Sequence, residues 1–126
     1  MSFKTPRSRV IGLGSAKDGV SHWWTQRVTA VALVPLAILF VIPFGQSLGQ
    51  NFADARSTYE NPLHAIVAIL FVAVAFRHMQ LGLQTVIEDY VHQKGLRTAA
   101  LLSNTLLCAL FALVGVFGVA KVAFGG

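Results

Sequence analysis

The sequence predicts an all-α membrane protein with three transmembrane helices. Three observations carry this expectation. Hydrophobic residues make up 55% of the chain and charged residues only 12%. The mean hydropathy is +0.64. The apolar residues gather in three long runs separated by short polar connections. A spanning helix needs about 20 mostly apolar residues, whereas soluble domains carry about 25% charged residues. A chain of 126 residues therefore has room for three spans in a single domain, 1–126, and none for a nucleotide-binding, dehydrogenase or protease module. Any redox chemistry must come from a bound cofactor or a companion chain.

Residues 1–21 are polar and basic, with Lys4, Arg7, Arg9 and Lys17 interrupted by Pro6, Gly12, Gly14 and Gly19, and they read as an irregular segment outside the bilayer. A secretory signal peptide is not expected, because the first apolar run starts late and is long enough to span. That run, about 23–48, opens on Trp23 and Trp24, whose indole rings favour the headgroup region. Pro35 and Pro43 lie inside it, and a bend is expected near Pro35, since proline removes a backbone donor. Gln50 to Glu60 reads as a polar connection.

Asn61 before Pro62 is a helix start: asparagine caps free amides, and proline at the first helical position loses nothing. The second span is expected over 62–91. His92 to Arg97 is a tight basic connection in which Gly95 marks the break, and the third span follows over 98–124. Ala109, Ala112, Gly115 and Gly118 recur every third residue, a pattern that lets helices approach closely in lipid. Glycine and alanine are also common in membrane spans generally. Cys108, the one cysteine, excludes an internal disulfide and a cysteine-based iron–sulfur site, and reads as a small core residue.

The net charge of +5 points to orientation rather than to nucleic acid. Lysines and arginines concentrate in the amino-terminal segment and at Lys94 and Arg97, whereas the first connection holds Arg56 and the tail Lys121. The positive-inside rule therefore predicts a cytoplasmic amino terminus.

The chain's chemistry concentrates in Phe76 to His92, FRHMQLGLQTVIEDYVH. Ionisable groups within a span are costly and mark functional candidates. By the rise per residue, His78 lies near the bilayer centre, and Asp89 and Tyr90 lie roughly 16 Å further along, where the span leaves the membrane. At about 100° per residue, Phe71, Val74, His78, Gly82, Thr85 and Asp89 share one stripe, and Arg77 projects to its side. Gly82 is expected to leave open space beside His78 for something flat and large.

A neutral imidazole so placed is either a haem axial ligand or a histidine hydrogen-bonded to a neighbouring helix. His22, His64 and His92 lie near membrane edges, so a second ligand at the depth of His78 would have to come from another chain. Arg77 needs a polar partner, and none is obvious in the sequence. Arg27 can pair with Asp89, meet a haem propionate, or snorkel to headgroups. Tyr90 is either an aromatic-belt residue or a hydrogen-bond donor to a quinone carbonyl, with Asp89 fixing the phenol or relaying protons.

Two stretches resemble the hydrophobic membrane anchor subunits of succinate dehydrogenase, respiratory complex II: GVSHWWTQRVTA, from Gly19 to Ala30, and the pattern running from His78 through Gly82 to Asp89, Tyr90 and Val91. The resemblance implies that His78 ligates the iron of a b-type haem shared with a second, three-helix anchor chain, the cytochrome b subunit. It implies ubiquinone as substrate at Asp89 and Tyr90, Arg27 near the haem propionates or the quinone pocket, and a possible propionate contact for His22. Flavoprotein and iron–sulfur partner subunits would carry FAD and the clusters. Without a transit peptide, a bacterial inner membrane is expected over a mitochondrial one. The alternatives are a haem-b anchor of another quinone-linked enzyme such as fumarate reductase, and a non-redox membrane protein in which His78 and Arg77 form a structural polar knot.

Overall fold

The computed structural model describes residues 15–125, so the expectation of an irregular segment is outside the described residues for 1–14. Four helices follow in order: α1 (Ser15–Ser47), α2 (Phe52–Glu60), α3 (Pro62–Tyr90) and α4 (Lys94–Phe124). Among the described residues there is no strand. Three segments are long and apolar enough to cross a membrane: Gly19–Ser47, Pro62–Tyr90 and Lys94–Phe124. The all-helical, three-span architecture is as the sequence predicts.

Three details differ. The first helix starts at Ser15, inside the segment expected to be irregular, because hydropathy marks the membrane edge and not the point where backbone hydrogen bonding begins. The connection between the first two spans is itself largely helical. Asn51 and Asp54 cap α2 reciprocally: the Asp54 amide donates to Asn51 Oδ1 at 2.9 Å, and Asn51 Nδ2 donates to Asp54 Oδ2 at 2.9 Å. Gly95 is not the break before the last span. The chain leaves helix at Val91–Gln93, and Gly95 falls in the first turn of α4, where glycine carries little cost. Pro35 and Pro43 both lie inside α1, which continues through them to Ser47.

The other ends follow the expected chemistry. Asn61 accepts from the Leu63 amide at 3.0 Å, with Pro62 opening α3. Gly49 takes a φ of +81°, the left-handed conformation that turns the chain out of α1.

The three long helices form a layer with α3 in the middle. α3 packs against α1 on one side and α4 on the other, α1 and α4 do not pack on each other, and α2 touches all three at the Asn61 end. The buried apolar residues reflect this order: Ala65, Val67, Ala68 and Leu81 on α3, and Cys108 on α4. Phe40 stacks on Phe71 at 4.5 Å across α1 and α3, and Phe76 stacks on Phe111 at 6.3 Å across α3 and α4. In lipid no hydrophobic force drives helices together, so close packing and hydrogen bonds carry the association. Gly115 shows this: a Cβ there would stand 2.8 Å from Val72 Cγ1, a distance real contacts do not reach, so α3 and α4 approach at this glycine.

Candidate functional site

The side chains of Arg77 and His78 are neighbours in sequence and go to opposite seams of the layer. At the α1–α3 seam, His78 Nδ1 lies 2.9 Å from Thr29 Oγ1, in hydrogen-bond contact. His22, Gln26, Arg27 and Ala30 of α1 join His78 and Thr85 of α3 around a cavity of about 520 Å³. Two polar atoms from residues of its lining, His22 Nε2 and Gln26 Oε1, are buried without a hydrogen-bond partner among the described residues. In a low-dielectric interior such atoms are costly unless something outside the chain meets them.

Gly82 does not leave the empty flat slot that the sequence led us to expect. Gln26 Nε2 stands 3.6 Å from where a Gly82 Cβ would be, so the carboxamide of α1 occupies the glycine's free side. The open volume lies instead among His22, Arg27, His78 and Thr85. Arg27 holds its guanidinium 5.5 Å from the centroid of the Trp23 ring, a cation–π contact at the rim. It does not pair with Asp89: among the described residues the one ion pair is Arg56–Glu60, at 3.3 Å.

His22 and His78 line the same cavity, a neighbourhood the sequence did not disclose. Seven residues separate His22 from Thr29, about 10 Å along α1, so His22 stands well off the level of His78. His64 and His92 stand apart from the cavity: His64 Nδ1 bonds the Thr58 carbonyl at 2.9 Å, and His92 Nδ1 bonds the Tyr90 carbonyl at 3.1 Å. No group of three or more histidine, cysteine, aspartate or glutamate side chains comes together among the described residues, so a metal coordinated at His78 needs ligands from outside the chain.

At the α3–α4 seam the polar groups are linked by hydrogen bonds, with Arg77 at the exposed end of the run. Arg77 donates to Gln80 Oε1 at 3.0 Å, and Gln80 Nε2 donates to Thr105 Oγ1 at 3.2 Å. Asn104 Nδ2 donates to the Gln80 carbonyl at 2.9 Å, and the buried Cys108 thiol donates to Asn104 Oδ1 at 3.4 Å. Arg77 thus has an internal neutral partner, three residues along its own helix.

Asp89 and Tyr90 close α3 on the same end of the layer as Trp23. Both are exposed, Tyr90 at 78%, and the helix ends there with the Val91 amide donating to the Ile87 carbonyl at 2.9 Å. This chain does not enclose either side chain. A second cavity, of about 350 Å³, lies at the opposite end among Phe40, Phe44, Phe52, Tyr59 and Val122. Burial there raises the Tyr59 hydroxyl above its ordinary pKa of 10.0, and the nearby Ser47 offsets part of the shift.

Residues 1–117 match the family model of the succinate dehydrogenase/fumarate reductase transmembrane subunit. A succinate dehydrogenase hydrophobic membrane anchor subunit from Paracoccus denitrificans is 33% identical over 125 residues, covering 99% of this chain and 96% of that one. Subunits of the same description from Rickettsia conorii and Rickettsia bellii are 31% and 33% identical, covering 84% and 86% of this chain and 85% and 82% of their own. No solved structure matches the chain significantly.

Proposed function

Because this chain belongs to the succinate dehydrogenase/fumarate reductase transmembrane subunit family, we propose that it anchors succinate dehydrogenase in the membrane, with His78 an axial ligand of a b-type haem and Asp89 and Tyr90 part of a ubiquinone site. The observation that carries this reading is the α1–α3 cavity. It brings a mid-span imidazole together with a cationic rim and two buried polar atoms that no described residue satisfies. The donor set fits a haem: His78 offers a nitrogen for the iron, Arg27 a fixed positive charge for a propionate or for the quinone pocket, and His22 a further nitrogen for a propionate contact. A haem bound there would supply a one-electron carrier within the membrane.

The remaining work falls to the chain's own side chains and to its partners. His78 would offer an imidazole nitrogen to the haem iron at mid-membrane, and a further protein ligand would come from the companion cytochrome b subunit. The Tyr90 hydroxyl donates to a quinone carbonyl, while Asp89 orients that phenol and passes protons in from the aqueous edge. The 78% exposure of Tyr90 accords with a pocket whose other walls belong to partner subunits. The flavoprotein and iron–sulfur subunits carry FAD and the clusters. Lys94 and Arg97 beside the Tyr90 end support a cytoplasmic position for that end and for the amino terminus, and the bacterial sources of the relatives support an inner membrane. The chain then works as one anchor domain, 1–126.

Co-purification in mild detergent tests the reading: the complex should contain a second anchor, an iron–sulfur subunit and a flavoprotein, and show the sharp reduced bands of b-type haem. Tyr90→Phe in that complex should cut succinate-driven ubiquinone reduction by about tenfold or more, in the range general acid contributions occupy, while succinate oxidation by an artificial flavin-level acceptor is kept. Equal loss of both activities would assign Tyr90 to assembly instead.

A further inference from the structure

We propose that Thr29 is a positioning residue for His78, fixing the imidazole in the tautomer that carries its proton on Nδ1 and leaves the Nε2 lone pair for iron. The inference rests on His78 as the haem ligand and adds a residue from a different helix to that site. A threonine hydroxyl has one proton and two lone pairs. Thr29 spends its proton on its own helix, where Oγ1 donates to the Thr25 carbonyl at 2.8 Å with the Gln26 carbonyl at 3.0 Å. At the 2.9 Å contact with His78 Nδ1 the hydroxyl is therefore the acceptor and the ring nitrogen the donor.

The opposite assignment puts the proton on Nε2, which turns the ring's other nitrogen into a donor and takes its lone pair away. It also withdraws the hydroxyl proton from the two carbonyls. Within the hydrocarbon region no bulk water competes for these groups, so the tautomer follows the partner that the fold provides.

An accepted Nδ1–H bond makes the imidazole a stronger donor and favours ferric over ferrous iron. Thr29→Val, which keeps the shape and removes the acceptor, should raise the haem midpoint potential, by about 59 mV for each tenfold loss of ferric preference, and should weaken haem retention about tenfold or more. Thr29→Ser should restore both. The measurements are a redox titration and a haem-to-flavin ratio on the purified complex, with Thr29→Ala read in the same way should the valine variant not accumulate. A valine or alanine complex with wild-type potential and haem content overturns the role of Thr29. His78→Leu run alongside separates the two claims: if it too leaves haem and spectrum unchanged, the ligand assignment falls; if it loses haem while the Thr29 variants match wild type, only the role of Thr29 falls.

Discussion

The two seams flanking α3 lie at the same depth and are built from adjacent residues, yet they finish differently. On the α4 side, Arg77, Gln80, Asn104, Thr105 and Cys108 form a run of hydrogen bonds in which each group answers another. On the α1 side, His78 and Thr29 form one contact beside a cavity of about 520 Å³ and two unsatisfied polar atoms. A helix turns about 100° per residue, so neighbours in sequence can serve separate faces. A seam whose groups bond one another holds helices together, whereas one whose buried groups find no partner among the described residues has hydrogen-bonding capacity left over. Polarity within a membrane span is thus not one signal: the state of its hydrogen bonds distinguishes a structural knot from a binding site.

The comparison can be broken first where packing is tightest. Gly115→Val on the α4 side places its Cβ 2.8 Å from Val72 Cγ1, so α4 must shift away from α3. The expected cost is about 1–3 kcal/mol, read as a lower yield of intact complex or a lower thermal midpoint in detergent, with haem per assembled complex unchanged. Loss of haem from complexes that do assemble would show that the seams are not independent.

A smaller effect is expected from Gln26→Leu on the α1 side. The substitution removes an unsatisfied oxygen from the cavity wall, so the helix layer should assemble as before. If the carboxamide meets a bound group, its loss should weaken haem retention by about 0.5–1.5 kcal/mol, measured as haem released in a competition with apomyoglobin. Normal haem retention combined with reduced assembly would move Gln26 to the structural side of the comparison.

Much of this architecture was legible in the sequence because the bilayer constrains it so strongly. Span lengths follow from hydrocarbon thickness, and Asn61–Pro62 carries its capping chemistry openly. Helix ends were less legible where they leave the membrane. Hydropathy is blind to the amphiphilic turns from Ser15 to His22, and a nine-residue helix between spans looked like a polar loop, although the reciprocal cap between Asn51 and Asp54 is a local signal that marks it. Gly95 misled because glycine breaks helices in their interior but is harmless in a first turn.

The site divided in the same way. Helical phase placed His78 and Thr85 on one stripe, and the fold puts both at one cavity. The partner of Arg77 was within reach of the same reasoning, since Gln80 lies one turn along, at a spacing where side chains meet. Thr29 and Gln26 were not. Their roles depend on how α1 is registered against α3, and that register is set by contacts such as Phe40 on Phe71, which a single sequence does not pair.

On the proposed reading His78, and not its neighbour Arg77, faces the haem. Reduced-minus-oxidised absorption spectra of the purified complex carrying His78→Leu, recorded beside those of Arg77→Leu, test it most directly. His78→Leu should lose the b-type bands or shift them with a fall in the haem-to-flavin ratio, while Arg77→Leu should keep the wild-type spectrum and ratio in whatever complex assembles. A His78→Leu complex with unchanged haem content and spectrum would contradict it.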